Sequence, residues 1–182
     1  MKKPKLLLLD ADVVIFAHQL DVWTSLKSAY EIHLPATILD EAKYFETKQG
    51  NCKSIDVQAD LIAGLIKKLE ADVKDLTRTF ESFDPVFLAA LHDGEKEAIT
   101  ILASDGASEL IFCTGDVSAM KAVGMLDLAS KCISFEEVLE KAGLLKHCGR
   151  LQPNLTKSAY STHSAKGKTC RITGESLKKP II

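Results

Sequence analysis

Four carboxylates occupy positions from which they could do chemistry together. Asp10 closes the apolar run Leu6-Leu7-Leu8-Leu9, and Asp116 follows the run Leu110-Ile111-Phe112-Cys113-Thr114. Glu41 stands about one turn into the segment after Pro35, and Glu95 opens Gly94-Glu95-Lys96-Glu97-Ala98-Ile99. Carboxylates gathered within a few ångströms raise one another's pKa unless a cation offsets them. Oxygen ligands without clustered His or Cys suit Mg²⁺ or Mn²⁺, which keep several waters and take further oxygens from a substrate phosphate. The chemistry such a site supports is phosphodiester hydrolysis by metal-activated water. Asp12 and Asp93 are outer members of the set. On a helix, Glu95 shares a face with Ala98, Ile99 and Leu102, whereas Glu97 lies about 200° around it, toward solvent, as the lesser candidate for the third acid. A competing role for Glu95 and Asp116 is that of N-terminal helix acids, stabilised by the helix dipole.

The elements that must position these acids follow from patterning. Leu6–Leu9 reads as a short strand buried on both faces, as in the centre of a parallel sheet. In open α/β sheets, ligands gather beyond the carboxyl ends of such strands, where Asp10 would stand. One or two helical pieces follow around Trp23 and Leu26, then a strand over 31–34 ended by Pro35. Pro35, Thr37 as cap and the spacing of Ile38, Leu39, Ala42 and Phe45 predict a helix over 36–47. The segment 55–83 has two readings: one helical stripe, or a hairpin or strand followed by a helix capped by Asp72. Beyond Asp84-Pro85 come a helical turn over 86–91 and a helix over 95–104. The strand 110–114, a helix over 117–123, a short strand at 131–133 and a helix over 135–142 complete the body. Strands alternating with helices predict a parallel sheet covered on both faces.

Composition sets the bounds. A chain of 182 residues, 46% hydrophobic, buries a substantial core as one domain plus an appendage. The formal net charge is only −2, but it is unevenly spread. Residues 146–182 carry eight Lys or Arg against Glu175, or +7, which leaves −9 on residues 1–145. Residues 1–145 are thus expected as the domain, and 146–182 as a basic, flexible tail that touches a polyanion. Lys157, Lys166, Lys168 and Arg171 are its candidate phosphate contacts. Tyr160 is the tail's single aromatic residue, so base stacking by the tail is not expected. Five scattered cysteines without a CxxC pair exclude a disulfide framework and a zinc ribbon. The basic Met1–Lys5 opening is followed by only four apolar residues, too few for a signal peptide or a membrane span, so a cytoplasmic protein is expected.

The blocks around Asp10-Ala11-Asp12, Leu34-Pro35-Ala36-Thr37-Ile38-Leu39-Asp40-Glu41-Ala42, Gly94-Glu95-Lys96-Glu97-Ala98-Ile99 and Phe112-Cys113-Thr114-Gly115-Asp116 resemble, in order and spacing, those of a PIN domain over Lys5–Leu145. The resemblance implies a three-layer α/β/α sandwich around a central parallel sheet. It also implies a Mg²⁺- or Mn²⁺-dependent endoribonuclease that cuts single-stranded RNA. Many relatives are toxins of toxin–antitoxin pairs, often dimeric, so an antitoxin protein and a second copy are expected partners. The family's acids carry over onto Asp10, Glu41, Glu95 and Asp116, and its hydroxyl residue onto Thr114. Asp12 stands where relatives often have a small polar residue. The third acid is commonly Asp in the family, and here Glu95 and Glu97 compete for that place.

Two rival readings exist. Asp10-Ala11-Asp12 also resembles the first motif of haloacid-dehalogenase-like phosphatases, with Asp10 as nucleophile and Asp12 as acid/base. Against it, Val13 replaces the usual Gly, and Met120 stands where the last motif needs its second acid. The other rival is a non-catalytic PIN-like module that binds RNA or a protein.

Overall fold

The computed structural model describes residues 6–47 and 49–178. The Met1–Lys5 opening and residues 179–182 of the expected tail lie outside the described residues.

β1 (Leu6–Leu9) runs into α1 (Ala11–Gln19) and α2 (Trp23–Ala29) and is followed by β2 (Glu31–Pro35). A single helical turn, α3 (Ile38–Glu41), precedes a hairpin of β3 (Tyr44–Glu46) and β4 (Cys52–Ser54). Then come α4 (Val57–Ile62), β5 (Ile66–Leu69), α5 (Val73–Phe80), α6 (Pro85–Ala89), α7 (Asp93–Ala103) and β6 (Leu110–Cys113). The chain finishes with α8 (Val117–Met125), β7 (Cys132–Ile133), α9 (Phe135–Lys141) and α10 (Lys157–Thr173).

The main sheet has five parallel strands in the order β5-β2-β1-β6-β7. β1 is central because it can be dry on both faces. Leu7 and Leu9 point into one apolar layer with residues of α1, α2 and α9, and Leu8 into the other with residues of α7 and α8. All three leucines are essentially water-free, each contributing roughly 1.5–3 kcal/mol of burial. Helices therefore cover both faces, and the three-layer α/β/α sandwich is as expected. The chain leaves β1 for β2 on one side and returns to β6 on the other, which opens a crevice at the carboxyl ends of β1 and β6.

Two expectations need correction. The helix over 36–47 is only the turn Ile38–Glu41. Tyr44 and Phe45 instead pair with Ser54 and Lys53, because the spacing of Ile38, Leu39, Ala42 and Phe45 suits a hairpin leaning on α1 equally well. Within 55–83 the strand-then-helix reading holds. Gly64, at φ +69°, turns the chain from α4 into β5, and the Asp72 carboxylate accepts from Lys74 N at 2.7 Å to start α5.

The flexible tail is the second. The segment after Lys146 folds back and ends in α10, started by the Thr156 hydroxyl and stopped by Gly174 in the left-handed region. α10 packs on α8 through small residues, with Ser164, Gly167 and Cys170 buried. Among the described residues no helix is long and apolar enough to cross a membrane.

Candidate active site

Asp10, Asp116 and Glu95 arrive at the crevice because each stands at the start of a helix right after a strand or loop, whereas Glu41 is the last residue of α3. Asp10 follows β1 directly and caps α1, its Oδ1 accepting from Asp12 N at 3.2 Å. Its Oδ2 accepts the Thr114 hydroxyl at 2.5 Å. Thr114 Oγ1 in turn accepts from Asp116 N at 3.0 Å, so one hydroxyl ties the ends of β1 and β6 together. Asp116 caps α8 by accepting from Ala119 N at 2.7 Å through Oδ1. Glu95 reaches back along α7, Oε2 accepting from His92 N at 2.9 Å while Oε1 lies 3.3 Å from His92 Nδ1.

The helix-acid role raised for Asp116 and Glu95 is therefore real, and Asp10 shares it. Capping alone does not account for the burial. Asp10 and Glu95 are 4% and 5% exposed, whereas a cap works as well at the surface.

Electrostatics record the crowding. Burial pushes Asp10 up to about 6, with the charges of Asp12 and Asp116 adding to it and the Thr114 hydroxyl opposing it. Burial pushes Glu95 up to about 7, reinforced by Asp116 and Asp10 and opposed by the two contacts with His92. Asp12, largely exposed, is raised by lost solvent and by Asp116, with His92 countering. Glu41 keeps much of its surface in water. Its carboxylate nonetheless lies against α7 and is raised by partial desolvation, with the Gly94 amide drawing it back. A Cβ on Gly94 would sit 2.8 Å from Glu41 Oε2 and 2.9 Å from Ile38 Cγ1, so only glycine lets α3 approach there.

Asp10, Glu41, Glu95 and Asp116 thus share one electronegative neighbourhood, with Asp12 and Asp93 at its edge. Glu97 does not belong to it, and the expectation that it lies toward solvent is corrected. It is 8% exposed, and its Oε2 accepts from Thr37 N at 2.8 Å and from Thr37 Oγ1 at 2.7 Å. Its Oε1 accepts from Ala71 N at 3.3 Å, so Glu97 fastens the loops after β2 and β5 to α7. Thr37 accordingly makes no side-chain cap on α3. Glu97→Gln turns an acceptor into a donor facing these N–H groups and is expected to cost about 1–3 kcal/mol, read as a lower urea midpoint.

His92 was missed as a site residue. It sits exposed at the mouth, and the Glu95 carboxylate raises its pKa. The only sequence sign was its place just ahead of Asp93-Gly94-Glu95. The proposed phosphate contacts lie on α10, but two of them are already engaged: Lys157 pairs with Glu140, and Arg171 with Asp127 at 3.4 Å. Lys166 and Lys168 face solvent. All five cysteines are free.

Among the described residues no three His, Cys, Asp or Glu side chains already close on one point as a metal shell. The donor chemistry still fits a hard cation. Mg²⁺ is usually held by one or two carboxylates and mostly by water, and buried acids with raised pKa values gain most from a positive charge. Asp10 and Asp116 are the direct candidates, with Glu95 and Glu41 acting through water. An α/β/α sandwich with buried acids at its switch point is the class that fold and site define. No family model, characterised protein or solved structure matches this chain.

Proposed function

We propose that the protein is a PIN-type endoribonuclease that hydrolyses single-stranded RNA with Mg²⁺ or Mn²⁺. The observation that carries this reading is the burial of Asp10 and Glu95 at the sheet edge where the Thr114 hydroxyl ties Asp10 to Asp116, an arrangement in which lost solvent and neighbouring charge raise both acids. Such destabilised carboxylates are hard to explain as scaffolding and easy to explain as a cation seat. Asp10 and Asp116 would hold the ion, which, when bound, lowers the pKa of water and offsets charge on the phosphoryl oxygens. Thr114 fixes the orientation of Asp10 through its hydroxyl and leaves Asp116 Oδ2 without a hydrogen-bond donor among the described residues. Glu95 and Glu41 would orient bound waters. Within this reading the partners are single-stranded RNA and, as for many PIN toxins, an antitoxin and a second copy of the chain.

The test is cleavage of end-labelled single-stranded RNA in Mg²⁺ or Mn²⁺, wild type beside Asp116→Asn and Glu95→Gln. Asp116→Asn is expected to lose at least about a hundredfold in kcat, and Glu95→Gln, acting through water, on the order of ten- to a hundredfold. Wild type that stays inactive with every divalent ion would end the nuclease reading. The phosphatase alternative gains no support, because Met120 is fully buried and presents no second acid.

A further inference from the structure

One helical turn along α1 from Asp12, at Phe16, begins a cavity of about 300 Å³ that the catalytic set does not use. Phe16, Gln19, Leu155, Arg150 and Gln152 line it. It adjoins the site along two walls. Phe16 is four residues beyond Asp12 on α1, so the two side chains lie one above the other on the same helix face. Leu155 packs on Gly115, where a Cβ would meet its Cδ2 at 2.9 Å, and Asn154 Nδ2 donates to Gly115 O at 2.9 Å. Gly115 immediately precedes Asp116, so the linker from Arg150 to Leu155 is fastened to the end of β6.

We infer that this cavity is a subsite for an unpaired nucleobase of the RNA, one step along the strand from the scissile phosphate. Taking the nuclease reading as its premise, the inference adds where the substrate lies and what holds it. The chemistry suits a base better than a phosphate or a lipid. Phe16 offers an aromatic face flanked by aliphatic walls, and stacking on such a face tolerates any base. Gln19 and Gln152 each carry a donor and an acceptor, as a base edge requires. Glu46, also on the lining, repels a phosphate from the interior but accepts from an exocyclic amino group. Arg150 makes no ion pair among the described residues and also borders the adjoining cavity of about 650 Å³, so it sits where the flanking phosphate would leave the pocket.

The test pairs binding with turnover. Anisotropy of a short fluorescein-labelled single-stranded RNA is read in EDTA, together with an abasic analogue, for wild type, Phe16→Leu and Arg150→Gln. Cleavage of the same RNA in Mn²⁺ gives KM and kcat. Phe16→Leu keeps the apolar packing and removes the ring face. It should raise Kd and KM roughly tenfold for RNA while leaving abasic binding unchanged. Arg150→Gln should flatten the dependence of log Kd on log salt by about 0.7. If wild type cleaves while both variants keep wild-type Kd and KM, the subsite is wrong and the nuclease reading survives. If both variants weaken binding as stated but wild type cuts nothing with any metal, the subsite stands and the nuclease reading falls. Wild type that binds the abasic analogue as tightly as RNA also overturns the subsite.

Discussion

Asp10→Asn is expected to make the metal-free protein more stable at pH 8 while abolishing RNA cleavage. Burial holds the folded-state pKa of Asp10 at about 6 against its ordinary value of 3.8. A group raised in this way contributes most to stability below its unfolded pKa, and the contribution is lost as pH rises through the folded value. At pH 8 the ionised carboxylate therefore costs about 3 kcal/mol, two pKa units at 1.36 kcal/mol each. Asn cannot ionise and keeps an oxygen for the Thr114 hydroxyl, but it loses the 3.2 Å contact from Asp12 N. The net gain should be about 1–2 kcal/mol at pH 8 and turn into a loss of about 1 kcal/mol at pH 4, where the carboxyl is neutral in the fold and only the lost contact counts, measured by urea unfolding at the two pH values. The same substitution removes one of the charges that raise Glu95, so the titration of Glu95 should shift downward. Mn²⁺ should raise the wild-type midpoint at pH 8 and leave Asp10→Asn unmoved, since an ion stabilises only a state that binds it. Cleavage should fall by more than about a hundredfold, beyond the loss typical of an outer-sphere partner. A wild type with flat stability from pH 4 to pH 8, and an Asn variant weaker than it at both, would mean that Asp10 is an ordinary cap.

The placement of acids at a switch point was legible in the sequence for Asp10 and Asp116. Both follow apolar runs with no polar interruption, and strands buried on both faces leave such a signature. Glu97 was not legible. The helical wheel placed it correctly relative to Glu95, but it presumes that α7 has one wet side. In the fold the loops after β2 and β5 close over that side and bring three donors to its carboxylate. Phe45 fell to a different ambiguity. Its spacing from Ile38 and Ala42 fits a helix, and only the pairing with Lys53 across the hairpin decides for strand. The base subsite was out of reach because it joins Phe16 to residues beyond Arg150, a segment the composition marked as detached. α10 itself hides from any apolar scan: it docks through Ser164, Gly167 and Cys170, residues that bury by being small.

Gly167→Ala tests that docking directly, and it should cost about 3 kcal/mol. A Cβ at Gly167 would lie 2.0 Å from Lys121 O and 2.8 Å from Lys121 C, and one at Gly124 would lie 2.2 Å from Ser164 O. These obstacles are backbone atoms, so no rotamer change clears them. α8 and α10 have to separate, and the separation opens voids around Ser164 and Cys170. Because α8 begins at Asp116, and the linker before α10 holds Gly115, the shift also reaches the acids. Cleavage should therefore fall along with stability, although residue 167 touches nothing in the site. Gly106→Ala is the matched control, since a Cβ there meets nothing within 4 Å, and it should change stability by less than about 0.5 kcal/mol. Equal urea midpoints for the two alanine variants would mean that α10 does not dock on α8. The chain after Lys146 would then be the free basic arm that its charge suggests, and the wall that Leu155 gives the base subsite would go with it.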